Sequence, residues 1–321
     1  MTRLLLATAL GLVTLTTAAM SAPPGAPDLR DPPKAKADEP VPDPLPVKVE
    51  RTVLYDTIDK EKLYLDVAMP KEGGPFPCVV MFHGGAWRGG SRKELSVGDK
   101  QKDGTVAPSV IERVAARGYV AVSASYRLAP KFQFPAQIQD ARAAVRFLRA
   151  SAKDYKIDGD RIAAAGFSAG GHLALLLGLA DKVDGWDAGG NTDQSSRVQC
   201  VVDFFGPADL SLYGNSPGLE DSFMVPVFGK GVKTDPAIYK KASPVTYVGK
   251  GAPPVLMVHG TFDLIVPVVH SEKLQKKLKD AGATAELITV RGEGHGWSGP
   301  TLVRTTNDAL KFLDTHLKGK K

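Results

Sequence analysis

From Val47 onward, short apolar runs alternate with stretches that repeat apolar residues at helical spacing, and this alternation most constrains the fold. RTVLYDT and LYLDVAMP have period-two character and read as an opening antiparallel pair. PCVVMFHGG (77–85) is a continuous apolar run ending in glycines, the pattern of a strand buried on both faces. A helix over 107–118, a strand over 119–126 and a long amphipathic helix over 136–155 follow. RIAAAGFS (161–168) is a further strand and AGGHLALLLGLA (169–180) a further helix. Strands then recur over 198–206, 253–260 and 285–292, with helices over 271–282 and 301–317 and a loop-rich stretch reaching about 251. Strands separated by helices require a mostly parallel, twisted sheet covered on both faces. The expected fold class is therefore α/β, with one catalytic domain over 47–321. In such sheets functional groups gather in the loops beyond the carboxyl ends of the strands.

The segment before Val47 has a different character. Arg3 is followed by LLLATALGLVTLTTAAM, which carries no charge, and then by small residues and Pro23-Pro24. This is the pattern of a secretory signal peptide over 1–22, cleaved near Ala19 to Ala22; the run is too short and weakly apolar for a membrane anchor. Nine prolines fall within 21–46, almost without large apolar side chains, so 23–46 is expected to be an extended linker. The mature protein is expected to be secreted or periplasmic, with no membrane span. A net charge of +6 is modest for 321 residues, and the lysines of SEKLQKKLKDAG suit the solvated face of an amphipathic helix. No aromatic-plus-basic pattern accompanies them, so no nucleic-acid partner is expected. Cys78 and Cys200 lie in strand-like apolar runs and read as isolated core thiols, with a disulfide between them as the alternative in an exported chain.

Two segments match the pattern G-x-S-x-G: GFSAGGH at 166–172 and GNSPG at 214–218. With 33 glycines and 16 serines, about 0.2 accidental matches are expected per chain, so the pattern alone decides little. Context separates the two. Ser168 stands where an apolar strand ends and an apolar helix begins, the setting of a nucleophile elbow, while Ser216 follows no strand and Asn-Ser-Pro-Gly is turn chemistry. The backbone N–H of Ala169 would point toward an oxyanion. HGGAW (83–87) follows the PCVVMF strand, and Gly84 and Gly85 leave backbone N–H groups free to approach the same oxygen.

HGTFDLIVP places Asp263 in a loop after a strand, and GEGHGW places His295 in the loop after the last one. The order Ser, Asp, His with each residue at a strand end points to acyl transfer by Ser168, with His295 as base and Asp263 as acid. Asp209 in GPADL is a rival acid that reads better as a turn or helix-cap aspartate, and Asp203 lies within a strand. His83 and His259 occupy strand-end turns where a ring can brace a loop. His172 falls in the first turn of the elbow helix, and His270 and His316 read as surface residues. Their spacing forms no metal-ligand cluster, so neither a metal nor another cofactor is expected. The aromatic side chains of Trp87, Tyr213 and Trp297 are candidates for substrate contact.

With these residues in place, the chain resembles serine esterases of the α/β-hydrolase superfamily, and more narrowly the bacterial feruloyl/acetyl esterase-like (BD-FAE-like) group. The resemblance runs from about residue 50 to the end. It is carried by HGGAWRGGS, SYRLAP followed by FPAQIQDARAAVRFLR, DRIAAAGFSAGGHLALLLG, VVDFFGPADL, ASPVTYV, APPVLMVHGTFDLIVP and GEGHGW. It implies an α/β-hydrolase fold, with Ser168, Asp263 and His295 as nucleophile, acid and base and Gly84, Gly85 and Ala169 as oxyanion donors. It also implies small acyl esters as substrates, acetyl or feruloyl groups on a polysaccharide such as xylan. A general short-chain carboxylesterase, a lipase-like enzyme, an arylformamidase-like amidase and a catalytically inactive binding protein are the alternatives. DKQKDGTVAPS and LYGNSPGLEDSFMVPVFGKGVKTD are less typical of the group, and loops at these places would roof the pocket.

Overall fold

The structure, a computed structural model, describes residues 43–319 except Lys102. The expected signal peptide and most of the expected linker lie outside the described residues. The strands are β1 (Val47–Ile58), β2 (Glu61–Pro70), β3 (Phe76–Phe82), β4 (Val120–Ala124), β5 (Ile157–Phe167), β6 (Cys200–Phe204), β7 (Val255–Gly260) and β8 (Ala285–Val290). They form one sheet in the order β1-β2-β4-β3-β5-β6-β7-β8. β1 and β2 are antiparallel to each other, β2 is antiparallel to β4, and every pairing from β4 to β8 is parallel. This is the mostly parallel sheet that the alternation implied, in the α/β-hydrolase arrangement that the resemblance implied.

The helices are α1 (Lys93–Ser96), α2 (Val110–Ala115), α3 (Ala136–Ala150), α4 (Ala169–Leu179), α5 (Pro217–Leu219), α6 (Val225–Phe228), α7 (Pro236–Ala242), α8 (Val269–Asp280) and α9 (Gly299–Leu313). The period-two rule divides the core along each strand. Cys78, Val80 and Phe82 of β3 pack with Ile138 of α3, Leu173 of α4 and Leu274 of α8 on one face. Val79 and Met81 pack with Ile111 of α2 and Leu310 and Phe312 of α9 on the other. α4 is buried on all sides, which explains a helix whose only polar side chain is one histidine. Both cysteines are free and buried, and burial pushes the Cys200 thiol up to about 12. Among the described residues no helix is long and apolar enough to cross a membrane.

Two departures from the sequence reading bear on function. The loop-rich stretch before 251 contains short helical turns, including a π-helical turn over Glu220–Met224 between α5 and α6. His270 is buried rather than at the surface. α8 begins before the lysine-rich run, and His270 shares an i, i+4, i+8 stripe with Leu274 and Leu278, all three buried.

The SYRLAP segment after β4 holds the loop that follows β3. Tyr126 donates its hydroxyl to His83 O at 2.9 Å, and its ring stacks on the His83 imidazole at 4.3 Å. Its neighbour Arg127 is buried and pairs with buried Asp140 of α3 at 2.8 Å. Burial pushes the Asp140 carboxyl up to about 6, against the hydrogen bonds and charge of Arg127. Asp140→Ala leaves the guanidinium with the exposed Asp59 carboxylate and neutral partners, so a stability loss of about 3 kcal/mol is expected. Urea unfolding of the variant measures it directly.

Candidate active site

The strand β5 ends at Phe167 and α4 starts at Ala169, so Ser168 alone makes the turn, at φ 54° and ψ −118°. A side chain in this left-handed region is strained and held by its surroundings. Ser168 N–H donates to Phe204 O at 2.8 Å, and Phe167 stacks on Phe204 at 4.7 Å. The flanking glycines are a steric necessity. A Cβ on Gly166 would collide with the Gly170 carbonyl, and one on Gly170 with the Phe82 carbonyl.

His295 joins Ser168 to Asp263. Its Nδ1 lies 2.7 Å from Asp263 Oδ2 and its Nε2 lies 2.8 Å from Ser168 Oγ. Burial pushes the Asp263 carboxyl upward, but hydrogen bonds from His259, His295 and Val266 N–H outweigh it and hold the group well below the usual carboxylate range. An ionised carboxylate only accepts, so the His295 proton sits on Nδ1 and Nε2 accepts from the serine hydroxyl. That tautomer is the one a general base requires.

Gly85 lines the cavity beside Ser168. Gly84 lies directly against the serine: a Cβ added there would stand 3.5 Å from Ser168 Cβ. Ala169 opens α4, where the first N–H groups have no intrahelical acceptor. Gly85, Ala86 and Trp87 all take positive φ, so the loop after β3 reverses sharply beside Ser168. The cavity measures about 360 Å³ and has Trp87, Tyr213, Phe223, Met224, Ile265 and Val266 among its walls. Arg88 stands at its exposed rim and donates to Ser222 O at 2.6 Å across the opening.

The aromatic candidates divide. Trp87 and Tyr213 line the cavity, and Tyr213 donates its hydroxyl to Ile265 O at 3.2 Å. Trp297 does not line it. Gly296, at φ 104°, turns the chain after His295, so the indole packs on Phe205 and donates to Thr305 Oγ1 at 2.9 Å. Its expected substrate contact is therefore corrected to support behind Phe205, whose ring touches His295 at 4.9 Å. Phe223, Met224, Ile265 and Val266 were not singled out from sequence. The last two follow Asp263 directly, and the first two lie in the loop marked as unusual.

The rival residues are accounted for. Asp209 caps the turn that follows it, accepting from Ser211 N–H, and pairs with Lys273 at 2.9 Å. Asp203 is fully buried in β6; burial pushes it up to about 7, and its Oδ1 accepts from Gly206 N–H. Ser216 joins two short helical turns, and its N–H donates to Tyr213 O. His83 lies 2.8 Å from the Gly84 carbonyl, and His172 donates from Nε2 to Ala242 O at 2.7 Å. Among the described residues no three His, Cys, Asp or Glu side chains converge as a metal site would need.

Residues 65–278 match the BD-FAE family model. The chain belongs to the BD-FAE family. Relatives at the sequence level include esterase LipC of Mycobacterium tuberculosis, 30% identical over 77% of this chain and 59% of LipC. Esterase LipQ of the same organism is 31% identical over 64% of this chain and 47% of LipQ. The chain thus spans roughly half to three fifths of the length of these relatives. Among solved structures, a truncated carbohydrate esterase from gut microbiota is 27% identical with a TM-score of 0.69, covering 87% of this chain and all of that one. Est2 of Thermogutta terrifontis, a thermophilic esterase, is 25% identical with a TM-score of 0.66 over 86% of this BD-FAE chain and 93% of its own.

Proposed function

We propose that the protein is an exported serine carboxylic ester hydrolase that removes small acyl groups, acetyl or feruloyl, from polysaccharide through an acyl-enzyme. The observation that carries the reading is His295 bridging Ser168 Oγ and Asp263 Oδ2 at hydrogen-bond distances. Ser168 attacks the ester carbonyl as His295 takes its proton, and the ionised Asp263 stabilises the imidazolium. The N–H groups of Gly84, Gly85 and Ala169 receive the oxyanion. His295 then protonates the departing alcohol, and water repeats the sequence to free the acid.

The likeness to a carbohydrate esterase supports a sugar as the alcohol. Est2 has also been obtained with propionate and with butyrate bound, which favours a second reading, a general short-chain carboxylesterase. The apolar cavity exceeds what an acetyl group fills, so it accommodates an aromatic or short aliphatic acyl chain. A panel of acetylated xylan, methyl ferulate and p-nitrophenyl esters of rising chain length separates these readings. Turnover of the first two is expected, together with labelling by a fluorophosphonate, as Est2 is phosphonylated by cyclosarin. Activity on short p-nitrophenyl esters alone selects the second reading. Activity confined to long acyl chains overturns both, and absence of labelling and turnover would make the chain a binding protein.

A further inference from the structure

Behind Asp263 stands a second imidazole that the reaction above does not use. His259 lies in β7, is fully buried, and precedes Asp263 by four residues. Its Nε2 is 2.7 Å from Val266 O and 3.4 Å from Asp263 Oδ2. A carbonyl only accepts, so Nε2 carries a proton, and that N–H is shared between the carbonyl and the carboxylate. Its Nδ1 is 2.7 Å from Ser271 Oγ in α8, and Ser271 is itself fully buried. The serine hydroxyl, able to donate or accept, holds the ring at Nδ1.

The Asp263 carboxylate is thus held from both ends. Oδ1 accepts from Ile265 N–H and Val266 N–H at 2.9 Å each, while Oδ2 faces His295 on one side and His259 on the other. Polar atoms therefore run in a line from Ser271 through His259, Asp263 and His295 to Ser168. The titratable groups around the His259 ring are Asp263, Asp203 from β6 and His270 from α8.

We infer that His259, its Nε2 proton fixed by Val266 O and its ring held at Nδ1 by Ser271, is a positioning residue that fixes Asp263 Oδ2 toward His295. The inference rests on the Ser168–His295–Asp263 reading. A brace for the loop alone would act elsewhere: Ile265 and Val266 line the cavity, so a loosened loop would show in KM and in stability.

The test uses the full chain and p-nitrophenyl acetate, with far-UV circular dichroism to establish folding. His259→Leu is expected to lower kcat about 10- to 100-fold with KM within about twofold of the parent, in line with the loss of other outer-shell partners. His259→Gln, which returns an N–H near the Nε2 position, is expected to recover most of that loss. Ser271→Ala keeps the ring and the acceptors at Nε2 but removes the hold at Nδ1, so a drop in kcat of about three- to tenfold is expected, smaller than the loss of the ring. The low-field proton signal of His295 Nδ1–H should move or broaden in His259→Leu. If His259→Leu does not fold, Ser271→Ala decides the matter.

Folded variants with kcat within twofold of the parent overturn the inference. So does a loss that appears in KM and thermal stability and is not recovered by glutamine. Ser168→Ala is the accompanying control. If that variant remains active, the catalytic reading itself fails; if it is inactive while His259→Leu is fully active, only the positioning role fails.

Discussion

Ser168→Ala is expected to lower turnover of p-nitrophenyl acetate by about 10⁶-fold, as removal of a triad nucleophile does elsewhere, whereas Ser216→Ala stays within about twofold, the usual reach of a substitution outside a site. The two serines occupy the same five-residue pattern, so the contrast tests context rather than motif. At Ser168 the chain leaves a buried strand, turns at a single residue and enters a buried helix, which fixes Oγ 2.8 Å from His295 Nε2. The alanine variant keeps the glycines that permit this turn, so the elbow should form without its hydroxyl. Residual activity then measures what Gly84, Gly85 and Ala169 do for bound ester with water as nucleophile. Ser216 joins a 3₁₀ turn to α5, and neither His295 nor another imidazole is among its hydrogen-bond partners. Its segment still contributes Tyr213, Phe223 and Met224 to the cavity, so Ser216→Ala shifts acyl-chain preference before it shifts kcat. Equal losses in the two variants would remove the basis for assigning Ser168. Steady-state rates on both, with circular dichroism to establish folding, make the measurement.

What the sequence makes legible follows from where each function is encoded. Ser168, Asp263 and His295 each end a strand, and the periodicity that reveals the strand also reveals the loop after it. The sheet is legible for the same reason, since a run such as PCVVMF buries both faces. The cavity walls are encoded differently. Phe223 and Met224 belong to a π-helical turn, whose spacing matches neither the helical nor the strand period. Trp297 shows the converse error. Two residues from His295 in sequence, it is turned away by the positive φ of Gly296, a backbone property that composition does not display. His270 was misplaced because the lysines after it suggested a solvated helix. The buried stripe it shares with Leu274 and Leu278 depends on where α8 begins, and that start lies before the recognisable pattern. His259 was legible as a brace; its approach to Asp263 Oδ2 depends on how the following loop folds back.

Asp263→Asn is expected to lower kcat by about 10⁴-fold, the loss found when a triad aspartate becomes an amide, while Asp209→Asn leaves kcat within about twofold and costs less than about 1 kcal/mol of stability. Hydrogen bonding dictates which way the new amide must face. Ile265 N–H and Val266 N–H both point at Oδ1, so the amide oxygen is required there and the NH₂ is forced into the Oδ2 position. That NH₂ faces His295 Nδ1 at a place where only an acceptor serves the base. The imidazole answers by moving its proton to Nε2, and it then has no lone pair to take the proton of Ser168. The same NH₂ also meets the Nε2–H of His259, so the amide is opposed from behind as well. Flipping it would satisfy both rings but set the NH₂ against two backbone N–H groups. The flipped amide would keep the base but leave those two N–H groups without an acceptor, so the first orientation prevails and the loss falls on kcat while the cavity and KM are preserved. At Asp209 an asparagine still accepts from Ser211 N–H and gives up only its pairing with the half-exposed Lys273. If Asp209→Asn proves the more damaging change, the acid has been misassigned, and the proton on His295 Nδ1 must be held by something other than Asp263.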